Sequence, residues 1–258
     1  MITIKTKEEI ETLREGGKRL ATILATVATD AVVGASAVDL NAKAEKMIRD
    51  GGDIPSFLNF KSKGQKTGYP VTLCVSVNDE VVHGITKIGN QPKIFKDGDV
   101  VGLDLGLIHK GLYTDHAVTV TVGKVSAKVE KLLKVTKDSM YAGIDAAVVG
   151  AHTGDVGLVI QKFAEQNGLG IIRDLAGHGV GYAVHEDPFV PNYGAKGEGP
   201  VLKEGMVLAI EPMFTLGGEE LEVGEDGFAY RTKDHSLGAH FEHTIVITDK
   251  GADILTRL

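Results

Sequence analysis

Four carboxylates stand singly inside runs that are otherwise apolar: Asp104 in Gly102-Leu-Asp-Leu-Gly106, Asp115 in Tyr113-Thr-Asp-His-Ala117, Glu211 in Val207-Leu-Ala-Ile-Glu-Pro-Met213 and Glu242 in Phe241-Glu-His-Thr-Ile-Val-Ile247. An acid inside a buried strand needs a partner, because an unpaired ionised carboxylate is expensive to take out of water. If His109-Lys110 form a two-residue hairpin turn, Asp104 sits directly opposite Asp115, with Cβ atoms about 5 Å apart. Like charges so placed repel unless a cation lies between them. Ala176-Gly-His-Gly-Val-Gly181 then offers an imidazole, His178, presented from a tight loop by flanking glycines that permit positive φ and close backbone approach, followed by His185. Two divalent ions would offset four carboxylates. Oxygen donors with a nitrogen and no sulfur favour Mn, Fe(II), Co or Zn over copper, and the imidazole argues against a Ca or Mg cage. A metal pair about 3.5–4 Å apart can share a hydroxide and polarise a carbonyl, the arrangement used for amide hydrolysis. Period two puts His240 on the face of Glu242, with Phe241 and His243 pointing the other way.

These residues have to be positioned by the rest of the 258-residue chain. With 43% hydrophobic and 24% charged residues it reads as an ordinary globular protein, and at roughly 150 residues per domain the length allows one large domain or two small ones. A net charge of −7 without any basic block gives no support to a nucleic-acid or anionic-membrane partner. The single cysteine, Cys74, excludes an intrachain disulfide and a thiolate zinc cluster, and with no apolar leader or span the chain reads as cytoplasmic. Thr6 with Glu9 fits a capping box opening a helix over 7–29; a second is expected over 39–51, with further helical blocks over 126–149 and 155–166. Strand patterns cover 71–77, 99–108, 112–122, 206–214 and 240–248. Val32-Val-Gly-Ala-Ser-Ala-Val-Asp-Leu40 recurs as Val148-Val-Gly-Ala-His-Thr-Gly-Asp-Val156, each time between two helical patterns. The echo suggests two halves related by a pseudo-twofold, with the active centre at their junction. No Pro/Ser-rich linker separates the halves, so residues 1–258 are read as one α+β domain.

The order Asp104, Asp115, His178, Glu211, Glu242, each in its local context, resembles a type I methionine aminopeptidase, a metallopeptidase of the M24 family with the pita-bread fold. The similarity runs from the first helix to the last strand and includes Gly68-Tyr-Pro70, Val77-Asn-Asp-Glu-Val-Val-His-Gly-Ile85 and Thr232-Lys-Asp234. It implies a central antiparallel sheet covered by helices, with two divalent ions: Asp104 on one, His178 and Glu211 on the other, Asp115 and Glu242 bridging. A hydroxide between the ions would attack the scissile carbonyl, with Glu211 as general base, His185 on the carbonyl oxygen and His83 on the amide nitrogen. Tyr69, Cys74, His83 and Phe228 match positions lining the methionine pocket. The implied substrates are nascent polypeptide N-termini with a small second residue, met by a monomer, at the ribosome if it docks there. The short spacing from His178 to Glu211 leaves no room for the insert of type II enzymes, and no separate domain precedes the first helix as in prolidases. Three positions depart from the pattern: Leu175 before Ala-Gly-His, Val184 in place of a pocket aromatic, and His240 where glutamine is common. The competing readings are a broader aminopeptidase or dipeptidase, resting on Val184, and a non-catalytic pita-bread binding protein that has lost its metals. His109, His116, His152, His235 and His243 are taken as turn, surface or packing residues.

Overall fold

The computed structural model describes residues 1–61 and 67–258. Helix α1, Lys7–Ala28, starts at the capping box: the Thr6 hydroxyl accepts from Glu9 N–H, and the Glu9 carboxylate accepts from Thr6 N–H. Leu13, Leu20, Leu24 and Val27 form its buried stripe. Helix α2, Ala37–Asp50, is capped by Ser36; α3, Ala127–Ala146, by Ser126; and α4, Thr153–Asn167, ends on left-handed Gly168. The two halves echo each other as the sequence repeat suggests. Gly34 and Gly150 take φ values of 85° and 87° at matching positions, and Ser36 and His152, each preceding the second helix of its half, make isolated antiparallel bridges to Ile94 and Val201.

A nine-stranded antiparallel sheet joins the halves. Its path runs from Ile54–Pro55 through Val100–His109, Leu112–Thr121, Glu242–Thr248, Val207–Ile210 and Ala176–Gly179 to Glu186–Pro191, with Leu73–Val77 and Gly251–Ile254 attached at the side. Alternation along the strands decides which residues reach the centre. Val101, Leu103, Leu105 and Leu107 pack under α1 and α2, while Leu208, Ile210, Ile245 and Ile247 pack with residues of α3 and α4. Asp104 therefore points to the other side, away from the helices.

Three expectations about the strands change. The hairpin turns at Lys110-Gly111, with φ of 48° and 86°, because two positive φ values give the turn whose twist matches the strands, and glycine accepts the second at no steric cost. Asp104 consequently pairs with Ala117 and Asp115 with Gly106. The two acids share a face but lie on a diagonal rather than directly opposite. The run over 206–214 breaks at Glu211-Pro212, since proline has no N–H to give to the ladder, and Met213–Thr215 leaves for a second sheet with Gly238–His240 and Gly170–Ile171. The run over 240–248 breaks at Phe241, so that His240 and Glu242 belong to different sheets.

Helix α1 lies against the chain's end and the hairpin through Gly16 and Gly17, where a Cβ would meet His109 Cβ at 2.9 Å and the Leu255 carbonyl oxygen at 2.4 Å. Alanine at position 17 would raise helix propensity by about 1 kcal/mol, yet backbone cannot yield to the methyl group. Gly17→Ala is therefore expected to lower stability by about 1–3 kcal/mol, read from the urea midpoint; an unchanged or higher midpoint would show that the close packing is not rigid.

Candidate metal centre

Each acid is fixed by its strand. The Thr244 hydroxyl accepts from Asp115 N–H at 2.9 Å and donates to Asp115 C=O at 2.7 Å, tying the hairpin to the strand that carries Glu242. The Asp115 carboxylate accepts from His116 N–H at 3.0 Å. Behind Asp115 and Glu242, on the opposite face, His116 and His243 stack with ring centroids 4.5 Å apart, and His116 Nδ1 contacts the Glu242 carbonyl. Both are packing residues, as expected. Asn192 Nδ2 donates to the Glu211 carbonyl at 3.0 Å and holds the break at Glu211-Pro212 in place.

His178 stands on a strand, Ala176–Gly179, and not on a loop. Its neighbouring glycines serve close approach: a Cβ on Gly177 would meet the Ala209 carbonyl oxygen at 2.3 Å and one on Gly179 the Asp187 carbonyl oxygen at 2.2 Å. His178 Nδ1 contacts the Gly179 carbonyl at 2.8 Å, which puts the proton on Nδ1 and leaves the Nε2 lone pair facing Glu211 Oε1 at 3.3 Å. His240 Nε2 faces the other oxygen, Glu211 Oε2, also at 3.3 Å.

Donor atoms of Asp115, His178 and Glu242 fall within 4.8 Å of one another, and so do those of Glu211, His240 and Glu242. Glu242 belongs to both groups. Asp104 borders the same cavity, partly accessible, with its Oδ1 buried; that oxygen, Glu242 Oε1 and His240 Nε2 have no hydrogen-bond partner among the described residues. Burial, with Glu211 adding to it and His240 opposing, pushes Asp104 up to about 6. Burial and then the neighbouring carboxylates push Asp115 and Glu242 well above the ordinary range. Burial also raises Glu211, but the imidazoles of His240, His178 and His185 outweigh it and leave this carboxyl below its ordinary value. Buried oxygens without partners, repelling carboxylates and an imidazole with a free lone pair fit divalent cations at the junction of the two groups.

A cavity of about 320 Å³ opens onto this cluster. The ten residues that the resemblance gives a ligand, catalytic or pocket role line it: Tyr69, Cys74, His83, Asp104, Asp115, His178, His185, Glu211, Phe228 and Glu242. Its apolar wall adds Phe57, Phe60, Val184, Val223 and Tyr230. Sequence reading missed Phe57 and Phe60 because they lie on an irregular segment with no periodicity to mark a face. His83 is held at φ 57°, its ring edge-on to Tyr230 and Tyr69, and burial lowers it to about 4. His185, open to the cavity, has its ring 4.5 Å from that of His178 and is lowered by desolvation and then by His178. Both are neutral at pH 7. Glu186 next to it accepts from Lys5 Nζ at 2.7 Å, Thr3 Oγ1 at 2.6 Å and Ala183 N–H at 3.1 Å, so the segment before α1 fixes the turn that carries His185. A larger depression of about 720 Å³ beside Lys93 and Glu80 gathers no comparable ligand set among the described residues, and Lys93 there is already paired with Glu80.

The model of metallopeptidase family M24 matches residues 11–249. Methionine aminopeptidase of Aquifex aeolicus is 44% identical over 261 residues, covering 100% of this chain and 99% of that protein. Methionine aminopeptidase 1 of Bacillus subtilis is 40% identical over 258 residues, covering all of both. Among solved structures, the methionine aminopeptidase of Thermotoga maritima superposes with a TM-score of 0.93 at 43% identity, covering 100% of each chain. A prolidase from Pyrococcus furiosus, 23% identical, matches 99% of this chain and 65% of its own with a TM-score of 0.74, a likeness of fold alone. The architecture is accordingly the pita-bread fold.

Electrostatic repulsion in the cluster has a measurable sign. Asp115 is raised in the folded state, so its contribution to stability is lost as pH climbs above the ordinary carboxylate range near 4. In the presence of a chelator, Asp115→Asn is expected to melt above the unaltered protein at pH 8 and to lose that advantage near pH 4. Adding Co(II) or Mn(II) should reverse the order at pH 8. A chelated parent protein that is the more stable at pH 8 would contradict this.

Proposed function

Because the chain belongs to metallopeptidase family M24, we propose that it hydrolyses the first peptide bond of nascent proteins and peptides that begin with methionine followed by a small residue. The observation that carries the reading is the meeting of four carboxylates and an imidazole in a cavity of about 320 Å³ that also has an aromatic wall, the scale of one side chain and its amide. Divalent ions would be held by Asp104 on one side and His178 with Glu211 on the other, Asp115 and Glu242 serving both. Co, Mn, Fe(II) and Zn suit these oxygen and nitrogen donors. When bound, such a pair supplies Lewis acidity for the scissile carbonyl and makes a water molecule more acidic.

The remaining work falls to the chain's own groups. Glu211, kept ionised by its imidazole neighbours, takes a proton from the attacking water and delivers it to the departing amide nitrogen. His185, neutral and open to the cavity, offers an N–H to the scissile carbonyl oxygen as negative charge develops there. His83 meets the amide nitrogen from the other wall. Tyr69, whose hydroxyl donates to the Gly84 carbonyl at 3.0 Å, forms with Cys74 and Phe228 a soft apolar slot suited to a thioether. Cysteine here is a wall residue: burial pushes the Cys74 thiol well up, so it stays protonated. The free α-amine of the substrate is the group an internal peptide lacks, which makes the activity an exopeptidase. The same reading makes the protein a cytoplasmic monomer that meets nascent chains at the ribosome; no helix among the described residues is long and apolar enough to cross a membrane.

Val184 is buried in the pocket wall against the cluster of Phe57, Tyr69 and Cys74. It widens the slot where the family resemblance leads one to expect an aromatic ring, and a broader aminopeptidase remains the second reading on that ground. Val184→Phe should lower KM for methionyl peptides; an unchanged or higher KM removes that argument. Glu211→Gln should cost roughly 100- to 10,000-fold in kcat. The deciding assay is release of methionine from Met-Ala-Ser by metal-stripped protein titrated with Mn, Co, Fe(II) or Zn, with an Ala-Pro peptide as control. Ion-dependent release from the first peptide alone is expected. No release with any ion would refute the proposal, and comparable cleavage of Ala-Pro would favour the broader enzyme.

A further inference from the structure

His240 plays no part in the reaction just described, yet it is 3% exposed and its Nε2 has no hydrogen-bond partner among the described residues. A buried polar nitrogen left unpaired is unfavourable by about 1–3 kcal/mol. The ring is held firmly where it is. His240 pairs with Met213 across the second sheet, and the Thr119 hydroxyl accepts from its N–H at 2.9 Å and donates to its C=O at 2.7 Å. Nε2 lies 3.3 Å from Glu211 Oε2 without the alignment of a hydrogen bond, and its donor atom falls within 4.8 Å of those of both Glu211 and Glu242. Two electron-rich atoms facing each other at that distance need a proton or a cation between them, and the geometry for a shared proton is missing.

We infer that His240 is a further metal ligand, a second imidazole on the ion that His178 and Glu211 would hold, within reach of Glu242 as well. This rests on the metallopeptidase reading and refines it. Both imidazoles then face Glu211, His178 Nε2 at Oε1 and His240 Nε2 at Oε2, each at 3.3 Å. Two nitrogens on one ion tilt that position toward Zn, Co and Fe(II) and away from Mn, which is satisfied by carboxylates. Glutamine, the residue the family resemblance leads one to expect here, offers only an amide oxygen.

The test is metal binding to the whole chain, stripped of ions, by calorimetry with Zn(II), Co(II) and Mn(II), together with the visible absorption spectrum of the Co(II)-loaded protein. His240→Gln should weaken Zn(II) and Co(II) at one of the two positions by about tenfold or more, change Mn(II) by less than about threefold, and alter the Co(II) bands. In the unaltered Co(II) protein, paramagnetically shifted proton resonances should include two exchangeable imidazole N–H signals, from His178 and His240. Unchanged constants with an unchanged spectrum, or a single such N–H, would overturn the role of His240 while leaving a two-ion centre intact. Failure of the unaltered chain to bind two ions would overturn both this inference and the function it rests on.

Discussion

Carboxylates gathered in one cavity cannot all ionise without a counter-charge, and the interior of this protein is built around that repulsion. Asp115, Glu211 and Glu242 are buried, and Asp104 turns a covered oxygen into the same space. Burial pushes Asp104 up to about 6, and burial with the neighbouring carboxylates raises Asp115 and Glu242 well above the ordinary range. An arrangement that destabilises the fold when ionised is tolerable when cations complete it, and the rigidity of the surroundings makes sense as the means of keeping the donors converged. The strand alternation sends Leu103 and Leu105 under the helices and Asp104 toward the cavity. The two hydrogen bonds between Thr244 and Asp115 lock together the strands that carry Asp115 and Glu242.

The imidazoles divide into three kinds by environment. His178 gives its proton to a carbonyl and keeps a lone pair for the centre. His83 and His185 are kept neutral, which suits groups that must donate a hydrogen bond to a substrate without adding a fixed positive charge. His116 and His243 stack behind the sheet, where His116 Nδ1 contacts the Glu242 carbonyl and His243 Nδ1 the Thr256 hydroxyl. The buried Lys5–Glu186 pair then steadies the turn that carries His185, so a residue near position 1 and one near position 186 act on the same wall of the cavity.

Much of this was legible in the sequence, for a definite reason: an acid in an apolar run violates the pattern around it, and a violation is easier to see than a rule. Asp104, Asp115, Glu211 and Glu242 could be read in that way, and the repeated Val-Val-Gly-Ala segment foretold the matched turns at Gly34 and Gly150. The hairpin turns one residue later than the spacing predicts, because Lys110 takes a positive φ that is uncommon for lysine. The strand pattern over 206–214 runs straight through Pro212, so neither the break after Glu211 nor the pairing of the following residues with His240 in another sheet could be read from it. Phe57, Phe60, Asn192 and Thr244 could not be found from spacing, since each acts through a contact distant in the chain.

The central claim is that two cations lie among these carboxylates. Anomalous X-ray scattering from crystals grown with Co(II), recorded on both sides of the cobalt edge, addresses it directly. Two peaks about 3.5–4 Å apart, both within bonding distance of Glu242 and Asp115, are the predicted result. No peak in the cavity, or one coordinated elsewhere on the molecule, would contradict the account.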